Sequence, residues 1–313
     1  MVEKKYLLVT GATGKQGGAL VRALLAHPSF PTSPFHILCL TRTPSSPAAQ
    51  SLLALSDRIS LHPGDFSDCP SIFTTAPGPI WGVFSLQTPF GPSGADREEQ
   101  HGTALTAAAA THGVQHLIYA SVDRGGAARS DENPTKIPHF RSKHHIEAHL
   151  KRTAAEHGMA WTIVRPVAFM ENLVPGMMGK VFSTAWREAM TPTRNLQLVS
   201  VRDLGRVSAE AFVGFEKEGR EGKWDGRAVS VAGEEMNYED LENVFRHTVG
   251  YELPTTFGFL AKGIMWVMPE FGEMFKWFEE EGYGADIKAV TKEFGPFVDV
   301  STYLKQDSGF VTD

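Results

Sequence analysis

Cysteine is scarce in this chain, because its 313 residues include only Cys39 and Cys69. Two thiols cannot build a disulfide framework or a four-cysteine zinc site, so both of these classes are excluded. We expect the two side chains to pack as small apolar groups in a core.

A surplus of basic charge is also missing. The chain has 30 Lys and Arg against 36 Asp and Glu, which gives a net charge of −6. Binding to a nucleic-acid backbone needs a basic surface that displaces counterions. We therefore expect no direct contact with nucleic acid.

Long hydrophobic runs are absent as well, since no stretch approaches the roughly 20 apolar residues that span a bilayer. The charged N-terminus, residues 1–5, leads into an apolar run that is too short for a signal-peptide core. We expect no membrane association and a cytoplasmic location, with the nucleus as the alternative.

Short apolar runs alternate with helical patterns in the first half of the chain. The runs cover residues 6–9, 36–40, 58–61, 79–85, 115–120 and 161–164. Apolar strands separated by helices indicate a parallel sheet covered on both faces. We predict an α/β fold: a doubly wound, Rossmann-type domain over residues 1–165, with a smaller C-terminal α/β lobe over residues 166–313 that packs in an interleaved way.

A glycine-rich loop follows the first predicted strand and opens a helix. Gly11, Gly14 and Gly17 have the spacing G-x-x-G-x-x-G. In a βαβ unit such glycines allow a tight turn and a close backbone approach to a diphosphate, which helix N–H groups then bind. The context predicts a dinucleotide site, to which Thr13, Lys15 and Gln16 are further candidate contacts. The alternative is a turn that serves close packing only.

The end of the second predicted strand indicates which dinucleotide binds. An NAD site usually has Asp or Glu there, but no acidic residue occurs from Gly18 to Ser56. The strand ends instead at Thr41 and Arg42. A guanidinium can pair with a 2′-phosphate, so we predict NADP(H); the alternative for Arg42 is an ordinary solvated charge.

Two later strand ends carry further candidate cofactor contacts. Asp65 could accept a hydrogen bond from the adenine amino group, and Phe66 could pack on the ring. The alternative is an Asx turn beside a core aromatic. Gln87 follows the fourth strand, whose carboxyl end faces the ligand crevice in such sheets.

Taken together, several segments resemble the NmrA-like family of atypical short-chain dehydrogenases. They are residues 11–18, 41–42, 64–68, 119–122, 137–143 and 165–172, with a looser match at 201–205. The resemblance implies an NADP-binding domain with a small C-terminal lobe. It also implies one of two activities, because the family includes redox sensors and regulators without turnover as well as reductases, several of them in fungal secondary metabolism.

The resemblance also assigns roles to residues. It implies that the loop glycines hold the diphosphate, that Arg42 reads the 2′-phosphate, and that Lys143 binds the nicotinamide ribose. It further implies a turn beside the nicotinamide that contains Pro166, Phe169 and Asn172.

The tyrosine of the usual Y-x-x-x-K pair is missing, because His139 stands four residues before Lys143. Positions i and i+4 share one helix face. His139, kept neutral by the lysine charge, could polarise a carbonyl, or it could be a capping residue. Lys143 could stabilise a developing oxyanion, and Ser121 could orient the substrate oxygen or cap the next segment.

His144, His145 and His149 lack the H-E-x-x-H arrangement, so we predict a solvated histidine face and no metal site.

Residues 257–278 are rich in Phe, Trp and Met, and they are either core or the wall of a hydrophobic substrate or partner site.

Two functions follow. The first is an NADPH-dependent oxidoreductase that reduces a carbonyl or conjugated double bond of a hydrophobic small molecule, with Lys143, His139 and Ser121 as catalytic residues. The second is a non-catalytic NADP(H) sensor or regulator with a protein partner. The missing tyrosine favours the sensor, whereas Lys143 and the aromatic stretch favour the enzyme.

Overall fold

The computed structural model describes residues 4–89, 94–258, 263 and 269–311. Its contacts divide the chain into two compact units. Unit 1 comprises Met1–Val122, Arg141–Arg165 and Leu204–Val229, and unit 2 comprises Asp123–Phe140, Pro166–Asp203 and Ser230–Asp313. The chain passes from unit 1 to unit 2 after Arg165, where the sequence analysis divides it, but it also passes between the units elsewhere. The two-domain boundary stays a prediction.

The described residues form ten strands. In chain order they are β1 (Lys5–Val9), β2 (Phe35–Thr41), β3 (Ile59–Pro63), β4 (Ile80–Ser85), β5 (His116–Ala120), β6 (Ala160–Pro166), β7 (Ala168–Phe169), β8 (Leu196–Val199), β9 (Arg227–Val231) and β10 (Glu234–Met236). The six apolar runs predicted over residues 6–164 correspond to β1 to β6.

The helices of the described residues follow the same order. They are α1 (Lys15–Ala26), α2 (Pro47–Leu53), α3 (Cys69–Thr74), α4 (Gly94–Thr111), α5 (Ala127–Glu132), α6 (Pro138–His157), α7 (Met177–Ala189), α8 (Val201–Glu218), α9 (Tyr238–Val249), α10 (Pro269–Glu280), α11 (Ile287–Phe294) and α12 (Val300–Gln306). None of the described helices is long and apolar enough to cross a membrane.

The large sheet has the strand order β3-β2-β1-β4-β5-β6-β9 among the described residues, and β1 to β6 pair in parallel. β5 is buried at every position, as expected for a strand with both faces covered. The strand order reverses direction between β1 and β4, which is the switch point where such sheets bind ligands. The predicted α/β, doubly wound fold is confirmed.

The core of unit 1 joins the sheet to the helices that cover it. Ile146 and Leu150 of α6 are fully buried against β5 and α4 side chains such as Leu117 and Leu105. These two residues stand four positions apart, so they lie on one face of the helix and form an inward stripe. The stripe fixes how α6 is rotated, and it therefore determines where the polar residues near the start of the helix point.

Unit 2 contains a small sheet, in which β8 pairs in parallel with β7 and antiparallel with β10. Of the aromatic stretch at 257–278, Phe275, Trp277 and Phe278 are at most 5% exposed and form part of the core. Of the two alternatives for this stretch, core or binding-site wall, these three rings belong to the core. Phe257 is 69% exposed, and Phe259, Met265, Trp266 and Met268 lie outside the described residues.

Candidate cofactor and catalytic site

The glycine loop makes a tight turn between β1 and α1. Gly11 has a φ of +62°, a left-handed conformation that side chains rarely adopt, and its carbonyl accepts a hydrogen bond of 2.9 Å from Gly14 N. A Cβ at Gly17 would lie 2.4 Å from the Gly11 oxygen, so only glycine fits there. The first turn of α1 has no acidic residue. These features suit a bound diphosphate.

Hydrogen bonds of the Thr10 side chain connect this loop to the end of β4. Its buried hydroxyl accepts a hydrogen bond of 2.7 Å from Leu86 N and lies within 3.0 Å of the carbonyl oxygens of Phe84 and Leu86. This role of Thr10 could not be predicted from the sequence, because a threonine after an apolar run is a weak signal. Of the candidate contacts in the loop, Thr13 and Lys15 are exposed and Gln16 is half-buried.

Arg42 and Asp65 lie beside each other at the ends of β2 and β3. Arg42 Nε is 3.9 Å from Asp65 Oδ2, and the arginine side chain is 82% exposed. Asp65 Oδ1 accepts a hydrogen bond of 2.9 Å from Ser67 N, so the Asx turn is formed. The Ser67 N–H lowers the pKa of Asp65 most, and the Arg42 charge contributes less. The structure thus brings two predicted cofactor residues together.

The Phe66 and Gln87 side chains are less exposed to solvent than that of Arg42. The Phe66 ring lies against the His101 ring, with 5.3 Å between centroids. Gln87 is 3% exposed, and its Nε2 donates a hydrogen bond of 3.0 Å to Ser85 Oγ. Its Oε1 has no hydrogen-bond partner among the described residues and faces Gly102 of α4. Gln87 therefore offers a buried acceptor near the carboxyl end of β4.

Lys143 forms a buried ion pair that the sequence analysis missed. Its Nζ is 2.7 Å from Oε1 of Glu98, and Ser142 Oγ donates a hydrogen bond of 2.5 Å to the other carboxylate oxygen. Glu98 is fully buried and Lys143 is 8% exposed. The sequence carries one signal that Glu98 is buried, namely its spacing. Glu98 stands four residues before Gly102, and both lie on the buried face of α4.

Ser121 also donates to a buried carboxylate. Its hydroxyl is hydrogen-bonded to Glu147, one helical turn after Lys143 on α6. Arg165 holds the same carboxylate with two hydrogen bonds, from Nε at 3.0 Å and from Nη2 at 2.5 Å. None of the three side chains is more than 4% exposed. One polar cluster therefore joins the residue after β5 to α6 and β6.

His139 belongs to unit 2, where it contacts Glu270 of α10. The imidazole Nδ1 is hydrogen-bonded to Glu270 Oε1, and the His139 backbone N–H donates to the same oxygen at 3.0 Å. The side-chain hydrogen bond from His139 is the main reason why the pKa of Glu270 is lowered. The sequence indicates Lys143 as the charge near His139 and gives no sign of Glu270.

The turn predicted to lie beside a nicotinamide is also in unit 2. The Pro166 carbonyl accepts a hydrogen bond of 2.9 Å from Asp123 N. Phe169 pairs with Val199 in the small sheet, and Asn172 is the exposed end of a short 3-10 turn. Contact of these residues with a cofactor stays a prediction.

The three predicted catalytic residues share one feature. Lys143, Ser121 and His139 each contact a glutamate, namely Glu98, Glu147 and Glu270 respectively. The lysine charge is thus compensated, and the serine proton is directed to a carboxylate. Among the described residues, no group of three His, Cys, Asp or Glu side chains could hold a metal ion.

Comparison with known proteins identifies the family. The model of the NmrA-like family matches residues 3–304, so the chain belongs to this family, as predicted. The NmrA-like family domain-containing oxidoreductase hkm9 of Aspergillus hancockii is 26% identical over 257 residues, which cover 79% of this chain and 73% of that protein. Matches to three other curated relatives cover 48–50% of their length.

Two solved structures with the same fold are similar over nearly the whole chain. One is the triphenylmethane reductase of Citrobacter sp. complexed with NADP(H), with a TM-score of 0.69 and 15% identity over 96% of this chain and 99% of that one. The other is NmrA, described as a negative transcriptional regulator in complex with NAD, with a TM-score of 0.70 and 17% identity over 98% and 96%.

Proposed function

We propose that this chain binds NADP(H) and acts as an oxidoreductase of the NmrA-like type. It reduces a carbonyl or a conjugated double bond of a hydrophobic small molecule, and its setting is secondary metabolism. The relative named as an oxidoreductase and the solved reductase complexed with NADP(H) support the general activity. The substrate class and the setting are part of the proposal.

The glycine turn after β1 is the observation that carries the proposal. Gly11 adopts a positive φ and Gly17 has no room for a Cβ, so the backbone meets the requirements of a diphosphate-binding turn. The exposed guanidinium of Arg42 at the end of β2 supports the choice of NADP(H) over NAD(H).

Different groups of unit 1 bind different parts of the cofactor. The amides at the start of α1 bind the diphosphate, and Arg42 pairs with the 2′-phosphate. Asp65 orients Arg42 at 3.9 Å. Lys143 has three N–H donors, of which one is directed to Glu98, and the others bind the ribose hydroxyls. When bound, the reduced cofactor supplies a hydride to the acceptor.

The decisive experiment is Arg42→Glu with NADPH and NADH titrated in parallel. Loss of a charge-assisted contact should weaken NADPH binding by about tenfold to a hundredfold, while NADH binding should change little. Arg152→Glu is the matched control, because Arg152 is an exposed arginine of α6. NADPH binding by Arg42→Glu at wild-type strength would refute the 2′-phosphate assignment, and a wild type that binds no dinucleotide would refute the whole proposal.

A second function is favoured by one specific observation, namely that His139 stands where a tyrosine is usual and is bonded to Glu270. One of the similar structures is described as a negative transcriptional regulator. The alternative is therefore a non-catalytic sensor that binds a protein partner in one redox state of the cofactor.

The two functions differ in turnover. NADPH oxidation above the protein-free rate with any acceptor of a carbonyl and enone panel supports the oxidoreductase. No turnover, together with NADP⁺ and NADPH affinities that differ by more than about tenfold, supports the sensor. A cytoplasmic or nuclear location stays a prediction in either case.

A further inference from the structure

A small polar cavity lies against one face of the sheet in unit 2. It has a volume of about 280 Å³ and is lined by residues 193–195, Gln197, Glu235 and residues 281–283. Gln197 of β8 stands directly opposite Glu235 of β10 in the antiparallel pair, so the two side chains share one face of the sheet. All of these residues belong to unit 2, and none of them takes part in the cofactor binding proposed above.

Hydrogen bonds to the backbone fix the floor of this cavity. Gln197 is 7% exposed, and its Nε2 donates to the Ala285 carbonyl while its Oε1 accepts from Ala285 N, both at 3.0 Å. Gly282 has a φ of +75°, and its N–H donates to the Trp277 carbonyl at 2.9 Å, which closes the end of α10. The floor therefore keeps its shape through contacts within unit 2.

The guanidinium of Arg194 is held at the edge of this floor. Its Nε donates a hydrogen bond of 2.8 Å to the Phe278 carbonyl. A Cβ on Gly282 would lie 2.5 Å from Arg194 Nη2, so the guanidinium lies directly over this glycine. Among the residues that the structure describes, no carboxylate forms an ion pair with Arg194. The terminal N–H groups of a fixed guanidinium are thus left for an anion that enters the cavity.

The two acidic residues of the cavity differ in their partners. Glu281 is hydrogen-bonded to Arg129 and, at 3.3 Å, to Asn133 Nδ2, so its charge is already compensated. Glu235 is exposed and forms no ion pair with any described residue. Burial raises the pKa of Tyr283 well above its usual value, so its phenol stays neutral. The cavity therefore presents one uncompensated positive charge and one uncompensated negative charge.

One guanidinium and one carboxylate in a shared polar cavity match a ligand that carries both charges. We propose that the cavity binds a small free amino acid, whose carboxylate pairs with Arg194 and whose ammonium pairs with Glu235. A guanidinium fork fits a carboxylate with two parallel hydrogen bonds. A dicarboxylate would place its second charge against Glu235, and a diamine would place a charge against Arg194, so both are disfavoured. None of the lining side chains is aliphatic, which favours an amino acid without a large apolar side chain.

Amino acids with graded separation of their two charges test this assignment. Glycine, β-alanine and 4-aminobutyrate are titrated into the purified protein in a calorimeter, and at least one of them should bind with a Kd below about 1 mM. Butyrate and butylamine each carry only one of the two charges, so they should bind at least about tenfold more weakly. Absence of binding by all three amino acids, or equal binding of either single-charge probe, would overturn the inference.

Two substitutions test the two charges separately. Arg194→Gln and Glu235→Gln should each weaken binding of the preferred amino acid by about tenfold to a hundredfold. Arg246→Gln and Glu239→Gln remove the same charges from exposed residues of α9, and both variants should keep the wild-type affinity. Wild-type affinity in Glu235→Gln would show that the ammonium is not bound at this carboxylate.

A reversal of charge distinguishes recognition from simple damage to the cavity. Glu235→Lys gives the cavity two cationic side chains, so it should lose the amino acid and bind succinate at least about tenfold more tightly than the wild type does. A damaged cavity would lose the first ligand without gaining the second. A variant that unfolds at the wild-type Tm and gains no succinate binding would overturn the role of Glu235. If Glu235→Lys does not fold, the ligand panel and Glu235→Gln still decide the question.

These measurements do not depend on the proposed function. Amino-acid binding is detected without NADPH and without turnover, so it can be observed whether the chain is an oxidoreductase or a sensor. Its absence would refute the amino-acid site and leave the cofactor assignment unchanged.

Discussion

Lys143 and Glu98 face each other across α6 and α4 at 2.7 Å, and less than a tenth of either residue is exposed to solvent. A buried charge is stable only when it has a partner, and removing one member of such a pair is worse than removing both. The pair therefore links the stability of unit 1 to the residue that we assign to the cofactor ribose.

The first prediction concerns this pair. Glu98→Ala leaves the Lys143 ammonium buried without its carboxylate, so it should lower the free energy of unfolding by about 3–5 kcal/mol. The double variant Glu98→Leu with Lys143→Met should lose clearly less, because no charge remains. Urea denaturation of the wild type, the single variants Glu98→Leu and Lys143→Met, and the double variant measures the coupling. Additive effects in this cycle would show that the pair is not energetically linked.

The second prediction concerns the glycine turn. Gly17→Ala places a methyl group 2.4 Å from the Gly11 carbonyl oxygen, so the turn must move. We expect a loss of about 1–3 kcal/mol in the free energy of unfolding and a marked loss of NADPH affinity. Gly14→Ala is the comparison, because its methyl group would lie 3.3 Å from the same oxygen. It should be less destabilising, and equal effects would contradict this account.

Much of this fold is readable from local sequence. Apolar runs without alternation predict buried parallel strands, and the helix between two of them requires a crossover. The glycine spacing then places a diphosphate turn at one definite point, after β1. Each of these inferences depends on residues near one another in the chain, and for this reason the strands and the turn were found.

The glutamates could not be found in this way. Glu98 and Glu147 are 45 and 26 residues from the Lys143 and Ser121 groups that they hold. Their type and their immediate neighbours indicate a solvated helix face, because buried carboxylates are rare without a partner. Only the three-dimensional packing of α4, α6 and β5 reveals the partner. The charge of the candidate site was therefore misjudged, and the cofactor contacts assigned from the sequence stay predictions.

The third prediction concerns Glu270 in unit 2. Its pKa is lowered from 4.5, first by the hydrogen bond with His139, so the ionised form favours folding. This contribution is fully present above about pH 4.5 and is lost as the pH falls through the lowered pKa. Wild-type Tm should therefore decrease below that pH more steeply than the Tm of Glu270→Gln. Glu273→Gln, on the same helix and exposed, is the control and should follow the wild type.

The last prediction concerns His116, a fully buried residue of β5. The Thr162 hydroxyl donates to the Trp224 carbonyl, so it must accept the hydrogen bond of 2.9 Å from His116 Nε2. The ring is therefore a neutral tautomer with its proton on Nε2, and Nδ1 has no hydrogen-bond partner among the described residues. Burial lowers the pKa of His116 from 6.5 to about 3.

This lowered pKa makes His116 a source of acid sensitivity. Below about pH 6.5 the unfolded chain binds a proton at this residue that the folded chain does not, so stability decreases as the pH falls, by about 1.4 kcal/mol per pH unit at most. His116→Gln keeps a donor for Thr162 but cannot be protonated. Its free energy of unfolding should be lower at neutral pH, yet it should change less between about pH 6 and pH 4 than that of the wild type. Parallel slopes in urea denaturation over this range would mean that other groups cause the acid sensitivity.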